Sequence, residues 1–155
     1  MKPYEVQQKD FIISTDKSKL DINSIHNYLC KESYWAKNIP VETVQKSIEG
    51  SYCFGLYGTE NSIAKQVGFA RVITDCATFA YLADVFVLDT YRGKGLSKWL
   101  MKTIMDCPDL QGLRRWLLAT RDGHGLYLQY GFKALDKPET IMGFKPFETY
   151  PETNS

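Results

Sequence analysis

Val87-Leu88-Asp89-Thr90-Tyr91-Arg92-Gly93-Lys94-Gly95-Leu96-Ser97 is the stretch that decides the fold of this chain. It leaves an apolar, strand-like segment, turns through Gly93 and Gly95, and enters a run whose Leu96, Trp99, Leu100, Thr103 and Ile104 recur at i, i+3, i+4, i+7 and i+8. Across the glycines the hydrophobic period therefore changes from that of a strand to that of an amphipathic helix. The first turn of a helix carries backbone N–H groups with no intrahelical acceptor, and the helix dipole adds partial positive charge there. Glycine at 93 and 95 removes the Cβ atoms that would hold an anion away from the backbone. Arg92, Lys94 and Lys98 add full positive charge locally. A diphosphate is the natural occupant of such a place, although a plain tight turn also explains the two glycines taken alone. A P-loop needs G-x-x-x-x-G-K-[ST], which is absent; a dinucleotide fingerprint needs a third Gly or Ala and a first β-α-β unit, and neither is found here.

Upstream, Ser51 to Tyr57, Gln66 to Thr74 and Thr78 to Leu88 read as strands of an antiparallel meander, separated by Gly58-Thr59-Glu60-Asn61 and Asp75-Cys76-Ala77. In the third run, Phe79, Tyr81, Ala83, Val85 and Val87 alternate with Ala80, Leu82, Asp84, Phe86 and Leu88. Both sets are largely apolar, which predicts a central strand covered on both faces. Further upstream lie a strand at Phe11 to Ser14, a helix from Leu20 to Lys31 with Asp21 as its N-cap, and a helix after Pro40 that ends at Gly50. Downstream, Pro108 closes the long helix, Leu113 to Thr120 reads as a strand, and Leu126, Tyr127 and Tyr130 mark a short helix. Gly131-Phe132 then turns the chain into a last strand region. The order β, α, α, β, β, β, α, β, α, β predicts an α/β fold with a mixed, mostly antiparallel central sheet flanked by helices on both faces.

The 155 residues suit one domain over 1–155, with no repeat or linker dividing them. Nineteen Lys and Arg against 18 Asp and Glu leave a formal charge of +1, so the basic excess of a nucleic-acid or anionic-membrane binder is missing. Cys30, Cys53, Cys76 and Cys107 are widely spaced without a C-x-x-C pair, and His26 and His124 stand alone, so no metal is expected. The N-terminus has no secretory pattern, and no run of about 18 apolar residues occurs. A reducing, cytoplasmic setting is the expectation.

The run from Asp84 to Ser97 resembles the acetyl-CoA loop of the GNAT superfamily of N-acetyltransferases, whose signature is Arg/Gln-x-x-Gly-x-Gly/Ala. Arg92 and Gly95 match it, and Ser97 departs at the last position. Leu126-Tyr127-Leu128-Gln129-Tyr130-Gly131-Phe132 is similar to the family's Leu-Tyr-x-x-x-Gly-Phe, and the element order follows the GNAT fold over nearly the whole chain. The resemblance implies an acetyl-CoA-dependent N-acetyltransferase that moves an acetyl group to a primary amine in a ternary complex. It implies that Val85, Phe86 and Val87 offer backbone groups to the pantetheine arm. Gly93, Lys94, Gly95, Leu96, Ser97 and Lys98, with Arg92, would cradle the pyrophosphate, and Tyr127 would protonate the departing thiolate.

Asp84 is a lone carboxylate in an apolar strand, which makes it a candidate general base or a holder of the substrate cation; it serves equally as a partner for neighbouring backbone. His124 has a suitable intrinsic pKa but reads more readily as a turn or cap residue beside its glycines. Tyr34, Trp35 and Tyr81 are the candidate substrate-binding residues; with Phe144 and Phe147 they would form an aromatic wall, and all five also suit an ordinary core. The stretch from Met142 to Tyr150 packs either on its own sheet or on a partner's, which leaves room for a homodimer. The competing readings are a non-catalytic acyl-CoA-binding or sensing module on the same fold and a protein-interaction domain with an empty loop.

Overall fold

The computed structural model describes residues 2–152. Its centre is a six-stranded sheet in the order β1 (Glu5–Gln8), β2 (Phe11–Ser14), β3 (Tyr52–Glu60), β4 (Ile63–Thr74), β5 (Phe79–Val87) and β6 (Arg115–Leu118). Neighbours from β1 to β5 run antiparallel, and β6 joins β5 in parallel. A parallel pair needs a crossover connection, and α3 (Leu96–Asp106) supplies it. The other helices are α1 (Ile22–Asn27), α2 (Val41–Glu49) and the short α4 (His124–Leu128).

Side chains alternate along a strand, so the sheet has two faces to cover. On one, Leu96, Leu100, Met101 and Ile104 of α3 close over Phe54, Leu56, Val72 and Leu82. On the other, Ile25, Leu29, Val44 and Ile48 from the α1–α2 layer pack on Cys53, Phe69 and Phe86. The chain thus has the expected mixed, mostly antiparallel sheet with helices on both faces.

Several local expectations are corrected. β1 was not anticipated, because Glu5-Val6-Gln7-Gln8 shows no apolar alternation; it forms by pairing with β2 across a turn at Lys9, whose φ is +54°. The helix drawn from Leu20 to Lys31 is shorter: Asp21 caps it by accepting from the Ser24 N–H at 3.1 Å, and a π-type turn at Tyr28–Glu32 replaces its second half. The β3–β4 hairpin is longer than read, because the turn sits at Asn61-Ser62 with φ +52° and +65°, the left-handed pair that a two-residue hairpin requires. No strand follows Gly131 among the described residues. Pro138 and Pro146 withhold ladder donors from that segment, and it runs on as irregular chain.

Tyr57 folds back over Gly55, where an added Cβ would collide with the phenol ring. Its hydroxyl is buried and has no hydrogen-bond partner among the described residues. An unsatisfied buried hydroxyl costs about 1–3 kcal/mol. Tyr57→Phe is therefore expected to hold or raise the unfolding midpoint in a denaturant titration, while Gly55→Ala lowers it by displacing the ring.

Candidate active site

The site begins with one extra residue. Phe69 pairs with Phe86 but Arg71 with Ala83, so β5 carries a bulge opposite Ala70. Asp84 takes up the irregularity in the left-handed region, at φ +55°. The bulge shifts the phase of the strand. Ala80 and Leu82 face the α3 core before it; Phe86 faces the α1–α2 core after it, while Val85 and Val87 turn to the α3 side.

Asp84 is not the lone carboxylate that the sequence suggests. Arg71 Nε donates to one carboxylate oxygen at 2.8 Å, Trp35 Nε1 donates to the other at 2.8 Å, and Arg71 Nη1 reaches Ser51 Oγ at 3.1 Å. The paired side chains are only 16% and 9% exposed, so the ion pair sits in a low-dielectric setting where geometry matters. Arg71 escapes a reading of the sequence because it stands one position out of register with Asp84, and only the bulge brings the two together.

Trp35 carries the network out to the loop between α1 and α2. Its ring meets Tyr34 edge-on at 5.1 Å, and the Tyr34 hydroxyl accepts the Arg121 N–H at 2.9 Å while the Arg121 guanidinium lies 3.9 Å from the Tyr34 ring centre. Tyr34 and Trp35 thus bridge the bulge in β5 and the segment after β6, a link for which Arg121 gave no signal in the sequence. Tyr81 lies in the β5 ladder opposite Ile73 and Leu117, three positions before Asp84. Phe144 and Phe147 do not join these rings; both are exposed, so they form neither the wall nor the core that the sequence allowed.

Beneath this bridge the two strands part. The β5–β6 ladder ends at the pair Leu82 and Leu118, whereas β5 continues to Val87. Phe86 and Val87 therefore have a partner only on the β4 side, Val85 lies within the bulge with no ladder partner, and a wedge opens where β6 would otherwise continue.

At the wide end of the wedge lies the glycine turn. Gly93 and Gly95 have φ of +82° and +76°, which L side chains rarely adopt, and an added Cβ at either would meet nothing within 4 Å. Gly95 is the N-cap of α3 and no side chain caps the helix, so the amides at its start face open space. Lys94 and Lys98 are exposed beside them, and Ser97 is half-buried. Arg92 behaves differently from the lysines. Its guanidinium turns back to the Val87 carbonyl at 3.3 Å, the Tyr28 hydroxyl at 3.2 Å and Asp89 at 3.1 Å, which fastens the loop to the end of β5.

Tyr127 closes the arrangement from α4. It packs edge-on against Phe132 at 6.1 Å and leans over Gly123, and its hydroxyl has no hydrogen-bond partner among the described residues. Burial, reinforced by Tyr34 and then Asp122, pushes the phenol pKa above its ordinary value. The same turn is tied to α3 by Tyr130, whose hydroxyl donates to the Lys98 carbonyl at 2.7 Å. His124 stands exposed at the first residue of α4. Among the described residues no cluster of His, Cys, Asp and Glu is arranged to hold a metal ion, and no helix is long and apolar enough to cross a membrane.

The family model described as the acetyltransferase (GNAT) domain matches residues 51–134, which spans the meander, the glycine turn and α4. A Gibberella zeae protein assigned as an acetyltransferase is 33% identical over 144 residues, covering 81% of this chain and 80% of that protein. A crystal structure from Xanthomonas campestris pv. campestris, of a protein assigned to the GNAT family of acetyltransferases, superposes with a TM-score of 0.81 at 52% identity, over 87% of this chain and 92% of the other. A Clostridium acetobutylicum protein solved with acetyl-CoA shares the fold at a TM-score of 0.61 and 14% identity, over 93% of this chain and 95% of that one.

Removing the carboxylate at 84 leaves a buried guanidinium without its counter-charge. Asp84→Ala is expected to cost about 3–5 kcal/mol in equilibrium unfolding. Asp84→Asn also removes the counter-charge and turns its amide N–H toward Arg71, so it is expected to recover only the part of the loss that comes from the positive φ and the Trp35 hydrogen bond. Trp35 fluorescence should shift in Asp84→Ala and stay close to wild type in Asp84→Asn.

Proposed function

Because the chain belongs to the GNAT family of acetyltransferases, we propose that it moves an acetyl group from acetyl-CoA to a primary amine of a small molecule or peptide, by direct attack in a ternary complex. The observation that carries this reading is the wedge past Leu82 and Leu118, which opens onto an uncapped, glycine-started helix and has a free phenol at its side. The residues suit the cosubstrate: a cradle with no atom within 4 Å of where a Cβ would stand at Gly93 and Gly95 leaves room for a pyrophosphate. Homologues seen with acetyl-CoA or coenzyme A support the same ligand.

In this reading Gly93, Lys94, Gly95, Leu96, Ser97 and Lys98 hold the pyrophosphate through N–H groups and charge. Arg92 fixes the shape of that loop from behind, and Val85, Phe86 and Val87 offer unpaired backbone to the pantetheine arm. The cosubstrate supplies an acetyl thioester. The amine nitrogen bonds to its carbonyl carbon, the C–S bond breaks, and the sulfur takes the phenolic proton of Tyr127. The raised phenol pKa keeps that proton in place at neutral pH.

The amine must be neutral to attack, and Asp84 or a water beside it is the base in this reading. Its two oxygens already accept from Arg71 and Trp35, so a second role is supported more directly: Asp84 orients the Tyr34–Trp35 loop over the acceptor. Tyr34, Trp35 and Tyr81 line the acceptor side. Residues 1–155 act as a single cytoplasmic domain with no metal. The alternative, a non-catalytic acyl-CoA sensor on the same fold, predicts heat of binding in calorimetry and no product from any amine.

Incubation with acetyl-CoA and an amine library, read as free CoA thiol and acetylated product by mass spectrometry, separates the two. For an enzyme, Tyr127→Phe should lower kcat by roughly 10²–10⁴-fold with little change in acetyl-CoA affinity. Proton donation by Tyr127 should fail only as pH rises above the ordinary tyrosine value of 10.0, because burial raises the pKa. An unchanged kcat in Tyr127→Phe would remove the phenol from the mechanism.

A further inference from the structure

We infer that Tyr28 is a positioning residue that couples the 93–98 turn to the Tyr34–Trp35 loop, so that filling the cofactor cradle sets the acceptor side. The inference rests on the reading of 93–98 as that cradle. Tyr28 is only 7% exposed and holds three partners with three different groups. Its ring stacks on Phe86 of β5 at 4.0 Å, with an interplanar angle of 9°. Its hydroxyl accepts from Arg92 Nη2 at 3.2 Å, and its carbonyl accepts the Ser33 N–H at 3.0 Å.

The hydroxyl bond is the one that crosses between the two sides. The other partners of Arg92, the Val87 carbonyl and Asp89, belong to the same stretch of chain as Arg92 itself. Among the described residues no other hydrogen bond joins residues 88–98 to the α1–α2 layer, although the Leu88 side chain also packs there. A tyrosine at 28 is more than the core asks for, since a phenylalanine would stack on Phe86 equally well. Its polar end serves Arg92 alone among the described residues.

The carbonyl matters because of where it sits. Its bond to Ser33 has the π-type spacing that recurs at functional sites, and it marks the point where the turn at Tyr28–Glu32 releases the chain into the loop. Ser33 is buried; its hydroxyl donates to the Leu29 carbonyl at 2.6 Å and accepts the Ala36 N–H at 3.0 Å. That tight turn presents Tyr34 and Trp35, and Trp35 Nε1 returns to Asp84, two residues before Phe86 in β5. The contacts therefore close a circuit. Arg92 holds Tyr28, Tyr28 holds Ser33, Trp35 holds Asp84, and β5 runs on through Phe86 to the Val87 carbonyl that Arg92 also holds. A shift at one corner of such a network is felt at the others, and coupling between ligands bound at two of its corners is reciprocal. Coenzyme A in the cradle restrains Arg92, Arg92 restrains Tyr28, and the acceptor loop loses freedom before the amine arrives.

Amide hydrogen exchange of the full chain, with and without coenzyme A, tests this on wild type and on Tyr28→Phe. The phenylalanine keeps the stack on Phe86, so thermal melting should show an intact fold. In wild type, coenzyme A is expected to slow exchange at residues 93–98 and, by at least about fivefold, at Ser33 and Ala36. In Tyr28→Phe the slowing at 93–98 should persist, and that at Ser33 and Ala36 should disappear. With an amine that wild type acetylates, the variant should raise the acceptor KM at least about fivefold, while coenzyme A affinity without acceptor changes by less than about twofold. Slowing confined to 93–98 in wild type, slowing at Ser33 and Ala36 that survives the substitution, or an unchanged acceptor KM overturns the coupling and leaves the cradle standing. A wild type in which coenzyme A slows exchange nowhere overturns the coupling and the cradle together.

Discussion

The single extra residue in β5 is the constraint on which the rest of this structure depends. An antiparallel ladder cannot absorb one residue more on one strand without bending that strand and shifting the phase of its side chains. Here the shift comes at Asp84, held at φ +55°. A left-handed aspartate is tolerable but costs free energy, and the surroundings offset that cost: Arg71, Trp35 and, through Arg71, Ser51 hold the residue in place. After the bulge the strand runs on with its outer row unpaired, and that bend coincides with the end of the β5–β6 ladder. The wedge, the direction of the glycine turn and the height at which α3 begins all follow from a strand that changes course at this residue.

The loop at the mouth of the wedge is held by two different kinds of force. Its inner side is fixed by directional bonds: Arg92 to the Val87 carbonyl and to Tyr28, and Tyr130 to the Lys98 carbonyl. The Tyr28 ring that receives Arg92 is itself stacked 4.0 Å from Phe86, so the glycine turn is coupled to the core on the far face of the sheet. Its outer side is open at Gly93 and Gly95, where an added Cβ would meet no atom within 4 Å. A loop rigid behind and empty in front is pre-organised for a ligand, since little conformational freedom is lost when the front is filled.

How much of this could be read from residues alone depends on range. The period change at the glycines, the Asp21 cap and the paired apolar faces of β5 are local signals, and the helices and strands they mark are present. β1 has a polar sequence and exists only through its neighbour, so local pattern was silent about it. Leu20 to Lys31 has helical spacing, but its second half winds as a π-type turn so that Leu29 and Tyr28 both reach the core. At the site, Tyr127 and the 93–98 turn were legible because they lie in contiguous motifs. Arg71 and Arg121 were not: each acts across strands or loops, and the first needs a bulge that nothing in the residue pattern announces.

The pairing of Asp84 also changes what the site can do electrostatically. An isolated buried carboxylate would favour a charged ammonium in front of it, and a charged amine cannot attack a carbonyl carbon. With Arg71 at 2.8 Å the pair presents little net field to the cleft, and the Trp35 indole shields its second oxygen. Around it stand the rings of Tyr34, Trp35 and Tyr127, with Arg121 over Tyr34 offset by Asp122 at 3.9 Å, and a setting of this kind raises the cost of a buried ammonium relative to the free amine. In the proposed reaction, deprotonation of the acceptor amine would be favoured by its surroundings as much as by any single base.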